Sequence, residues 1–75
     1  MRPGTKAALT AALYEMETVE FRAARAAHEL HFANAQQPLP AGALDLLEAL
    51  VALQETAARL RRGLAAMADG KAVPA

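Results

Sequence analysis

Residues 46–67 read Leu46-Leu47-Glu48-Ala49-Leu50-Val51-Ala52-Leu53-Gln54-Glu55-Thr56, then Ala57-Ala58-Arg59-Leu60-Arg61-Arg62-Gly63-Leu64-Ala65-Ala66-Met67. Within them Leu46, Leu50, Leu53, Ala57, Leu60, Leu64 and Met67 recur at alternating steps of four and three. That rhythm holds one apolar seam of a helix against a neighbouring helix. A strand would need alternation and β-branched residues. The chain contains no isoleucine, and valine plus threonine total seven. The stretch is a helix that needs a partner.

The partner lies upstream in the same chain. Leu9, Leu13, Met16, Ala23, Ala27 and Leu30 repeat the rhythm, with Glu20 interrupting it. Between the two seams stands Gln36-Gln37-Pro38-Leu39-Pro40, whose prolines bias the residues before them away from helix. The expected first helix takes Thr5 as its N-cap and runs over about 5–35; the second runs over about 41–68 with Pro40 in its first turn. Gly42 weakens that turn, whereas Asp45 and Glu48 suit the positive end of the helix dipole. Gly70 marks the stop, and 69–75 is expected to fray. Each helix should be roughly 40–45 Å long. A turn this short folds them into an all-α, antiparallel two-helix hairpin, a single domain over 1–75. If residues whose numbers sum to roughly 76 face each other across the turn, Glu15 and Glu17 meet Arg61 and Arg59. Arg22 then lies near Glu55 and Arg25 near Glu48.

Composition narrows the function. A chain of 75 residues rarely buries enough surface to be comfortably stable alone. There is no cysteine to supply disulfides or thiolate metal sites. Of the apolar residues, 21 are alanine. Eight basic and eight acidic side chains cancel, which argues against nonspecific binding to nucleic acid or membrane surfaces. Ala7–Tyr14 is apolar but short, and Glu15 and Glu17 follow it, unlike a secretory leader. No run reaches the ~20 apolar residues of a membrane span, so the expected location is the cytoplasm.

A two-helix hairpin uses one seam per helix, and this chain has more. Tyr14, Thr18, Phe21, Arg25, His28, Phe32 and Ala35 form a second series on the first helix, well away from Leu9, and carry all three aromatic residues. Leu44, Leu47 and Val51 point away from the line through Leu46, Leu50 and Leu53 on the second. Near the turn these faces are expected to merge into one patch. Leaving six large apolar groups in water forfeits several kcal/mol, at ~1.5–3 kcal/mol for each buried side chain. The expected partner interface is therefore Tyr14, Phe21, Arg25, His28, Phe32, Leu44, Leu47 and Val51, covered by another protein or by a second copy. A four-helix bundle completed by oligomerisation or by partner binding is the simplest solution. The alternative is an oligomer that binds a small anionic, nucleotide-like ligand between protomers through Tyr14, Phe21, Arg25 and His28.

Chemistry finds little footing. In His28-Glu29-Leu30-His31 the histidines are three apart and no third ligand follows at metal-site spacing. Glu15, Glu17 and Glu20 lack the Glu-x-x-His pairs of a di-metal bundle. The chain has no serine and no glycine-rich loop after a strand. Arg59, Arg61 and Arg62 form the only basic cluster, without interleaved aromatics. The expectation is a protein that is not an enzyme and holds no metal or cofactor, working as a co-chaperone, adaptor or regulator.

One resemblance bears on this. The acidic-then-basic hairpin, the Pro38-Leu39-Pro40 turn and Leu46-Leu47-Glu48-Ala49-Leu50-Val51-Ala52-Leu53 together resemble the small helical-hairpin co-chaperones of type III secretion. Those proteins help keep a needle subunit from polymerising prematurely. The resemblance spans most of the chain but contains no diagnostic motif. It implies an obligate partner and a heterocomplex rather than a homodimer.

Overall fold

Pro3 opens the first helix. In the computed structural model, which describes residues 1–73, helix α1 spans Pro3–Gln36 and helix α2 spans Ala43–Ala68. The start lies two residues before Thr5, and the N-cap is Arg2, with no side-chain cap bond. Proline at the first helical position explains this, because its ring presets the helical φ and its missing N–H would have had no intrahelical acceptor. The Arg2 carbonyl accepts a bond from Lys6 N–H at 3.1 Å.

The turn is tied from within α1. The Asn34 side-chain oxygen accepts the Leu39 N–H at 3.2 Å, and the Ala33 carbonyl accepts the Gln37 N–H at 3.1 Å. Pro40 sits in the loop rather than in the first turn of α2. Gly42 is the N-cap instead, with φ of 91°, a left-handed conformation that costs an L-residue about 1–2 kcal/mol. At the far end Gly70 adopts φ of 71°, and the Ala66 carbonyl accepts the Lys71 N–H at 2.8 Å, closing the helix in the usual left-handed cap. The chain then turns back so that Val73 lies over Gly63, where an added Cβ would stand 3.3 Å from its Cγ1. Of the tail expected to fray, residues 74–75 lie outside the described residues.

The two helices pack antiparallel, in a shape of 53 × 21 × 14 Å. On α1 the packing face is the expected one: Leu9, Leu13, Met16, Glu20 and Leu30 are half-buried, and Ala23 and Ala27 are buried. On α2 the seam differs from the expected one. Leu50, Ala57 and Leu64 face α1, but the row beside them is Leu47, Gln54, Arg61 and Ala68, all half-buried. Leu46, Leu53, Leu60 and Met67, on the other side of that line, remain 64%, 47%, 49% and 37% exposed. A strict four-three repeat presents two rows about 50° apart, one on each side of its centre. A single neighbour approaches from one side and covers one row of the pair.

The register also differs from the one inferred from charge. Arg61 donates from Nε to Glu20 Oε2 at 2.9 Å, so its partner is Glu20 and not the Glu15 that a sum of about 76 would set opposite it. Among the described residues this is the one ion pair between side chains, and the contacts expected for Glu15, Glu17, Arg22 and Arg25 do not form. Both partners lie in the seam, about a third exposed, and therefore reach each other directly. Exposed charges on outer faces had no such geometry to hold them. The Glu20 hydrogen bond and charge raise the Arg61 guanidinium above its ordinary value, and Glu17 adds to the effect.

The middle of the seam is alanine. Ala23, Ala27 and Ala57 are the buried apolar residues, Ala57 at 1% exposure, and no large side chain is fully buried among the described residues. Replacing Ala57 with leucine overfills this waist, and the expected loss is about 1–3 kcal/mol in a denaturant melt. Gly42→Ala meets no atom within 4 Å, so only its backbone conformation is at stake. It should cost about 1–2 kcal/mol and lower the melting temperature by roughly 4–15 °C.

Candidate interaction surface

The geometry of α1 decides where its aromatic residues go. With Met16 and Ala23 facing α2, positions 14, 21 and 28 and positions 18, 25 and 32 fall about 150° to either side of that direction. They therefore occupy the outer back of the hairpin. Tyr14, Phe21 and Phe32 are 61%, 66% and 61% exposed, and Arg25 and His28 between them are also exposed. The Thr18 hydroxyl is turned inward on its own helix, donating to the Tyr14 carbonyl at 3.1 Å. This leaves Phe21, Arg25 and His28 as the projecting groups of the central stretch.

The residues expected beside them on α2 separate. Leu47 is half-buried in the seam against α1. Leu44 and Val51 are exposed but lie on a lateral flank of α2, about 80° from the seam direction. A shallow hollow beside Phe21 is lined by Phe21, Ala24, Arg25, His28 and Glu29, and a second by Glu17, Thr18, Phe21, Arg22 and Arg25. Neither draws a residue from α2. Leu44 borders a different depression at the turn, with Asn34, Leu39 and Pro40 among its lining. The single patch at the turn end does not form. The aromatic face belongs to α1 alone.

The four residues of the ligand alternative share this face without enclosing anything. Tyr14 borders a hollow near the start of α1 with Pro3, Lys6, Ala7, Thr10 and Ala11, two turns from the one that Phe21, Arg25 and His28 share. A single convex helix offers an aromatic ring one side to stack against and no opposing wall. Among the described residues no three His, Cys, Asp or Glu side chains gather where they could hold a metal ion. No described helix is long and apolar enough to cross a membrane.

The sequence reading missed a second surface. The row Leu46, Leu53, Leu60 and Met67 is exposed, and its last two members border a hollow of about 500 Å³. That hollow is lined from α1 by Ala12, Glu15 and Met16, from α2 by Arg59, Leu60, Gly63, Leu64 and Met67, and from the tail by Val73. Its signal was present in the four-three repeat, which carries one more row than a two-helix contact uses. No protein-family model matches this chain, and no match was found among curated proteins or among solved structures.

Because Phe21 stands open on the back of α1, Phe21→Ser should change folding stability by less than about 0.5 kcal/mol, serine and phenylalanine having similar helix propensity. Leu50→Ser, in the seam, should cost more than about 1 kcal/mol. Equal losses in paired thermal melts would place Phe21 in the fold rather than on a free face.

Proposed function

We propose that this chain is a non-enzymatic helical interaction module, a small co-chaperone, adaptor or regulator that binds another protein through the back of α1. The observation that carries the reading is the exposure of all three aromatic residues on one face that the hairpin does not use. Large aromatic side chains beside an arginine are the groups that dominate the energetics of protein interfaces. Burying them against a partner recovers about 1.5–3 kcal/mol for each ring fully covered. An apolar helix face flanked by polar residues is recognised by a groove or by a second helix, with anchors spaced along the face as Tyr14, Phe21 and Phe32 are. The co-chaperone class, with an exported helical subunit as the protein held, is the specific form of this proposal that the resemblance in sequence plan favours. It places the protein in the cytoplasm.

A photo-reactive residue introduced at Phe21, in the cells that make the protein, tests the reading. It should give one dominant covalent adduct with a second protein, and the same residue at Glu55 should not. Equal and diffuse labelling from both positions would sink the proposal.

A further inference from the structure

We infer that the leucine flank of α2 is the contact between two copies of this chain, closing a two-fold four-helix bundle that leaves the aromatic backs of α1 facing outward. The inference concerns a surface other than the aromatic face and does not rest on what that face binds.

Three observations argue for a second copy. The first is area. The chain exposes 5647 Å², whereas a compact monomer of its mass exposes roughly 4,400 Å². The excess of roughly 1,200 Å² per chain is somewhat more than the ~800 Å² that each partner contributes to a standard stable interface. The radius of gyration, 16.1 Å, likewise exceeds the roughly 11 Å of a compact chain this long.

The second is the shape of the flank. Leu46, Leu53, Leu60 and Met67 stand seven residues apart, large and exposed. On the same side of the hairpin α1 presents Ala12, Val19, Ala26 and Ala33, also seven apart and half-buried. In the register marked by Glu20 and Arg61, Met67 is level with Ala12, Leu60 with Val19, Leu53 with Ala26 and Leu46 with Ala33, to within about two residues in an antiparallel pair. Each layer thus pairs a large side chain with a smaller one. A two-fold axis parallel to the helices sets the ridge of one copy over the trough of the other at the same four levels. Such a patch is self-complementary, as a closed dimer requires.

The third is the repeat itself. Leu50, Ala57 and Leu64 face α1, with the half-buried row Leu47, Gln54, Arg61 and Ala68 on one side and the exposed leucine row on the other. A helix that carries a further apolar row beside those its one neighbour covers has a face for a second neighbour, the pattern of a four-helix bundle rather than of an isolated pair. The chain's own tail covers only one end of the flank. Val73 reaches Gly63, more than two helical turns from Leu53, and borders the hollow at Leu60 and Met67. This places a homodimer where the resemblance to secretion co-chaperones implies none, and any partner on the aromatic face would bind a chain already paired.

Light scattering on the purified full chain should give twice its 7.9 kDa mass. The mass should fall to one chain in Leu53→Glu/Leu60→Glu and stay doubled in Phe21→Glu. Because the double variant risks unfolding, spin labels on otherwise native chains provide an independent reading. Labels at Thr56→Cys, at the rim of the flank, should lie closer to their twins than labels at Arg25→Cys on the outer back. A native chain that stays monomeric, one that forms a tetramer, a double variant that keeps the doubled mass, or labels closer at Arg25 than at Thr56 would each overturn the dimer proposed here. The last result would assign the dimer contact to the aromatic face. Photo-labelling at Phe21 can fail while this dimer stands, and the reverse.

Discussion

The close approach of α1 and α2 at Ala23, Ala27 and Ala57 is the constraint on which the remaining geometry hangs. Helices approach closely where the side chains between them are small, and these alanines are the apolar residues the hairpin buries. A narrow waist has a consequence for everything beside it. The leucines and methionines that would fill a wider interior are held to the edges, where they are half covered or open. Glu20 and Arg61 lie one turn from this waist on opposite helices, and their bond at 2.9 Å marks the register that the alanines permit. An acidic residue that looks like a flaw in an apolar seam is thus matched across it, because the facing row of α2 carries its own charged interruption at the same level.

From that waist follow two surfaces of different character. One is lateral, aliphatic and shared by both helices, with the leucine row of α2 beside the alanine row of α1. The other is the back of α1, aromatic and flanked by charge. A hairpin of two helices has no third layer to cover either, and a thickness of 14 Å leaves no interior. Apolar area of this kind is covered by association rather than by folding. The separation of the two surfaces lets one serve assembly and the other recognition. A chain this short would otherwise have to reuse a single patch for both.

The sequence by itself determined the helices, their antiparallel hairpin and the seam of α1, because these follow from local periodicity and from the breaker cluster at Pro38 and Pro40. It also placed Tyr14, Phe21 and Phe32 together on a face away from that seam, since a helical face depends only on spacing within one helix. Only the tertiary structure decided which two of the three neighbouring rows of α2 would meet α1. Leu46 and Leu47 differ by one position and by one helical step of about 100°; Leu47 went inward and Leu46 outward according to the direction from which α1 approached. The register was likewise undetermined by charge, because exposed charges exert weak, screened forces that several alignments satisfy equally well. Packing at the alanine waist is short-ranged and tolerates few alignments, and it therefore decided what charge could not.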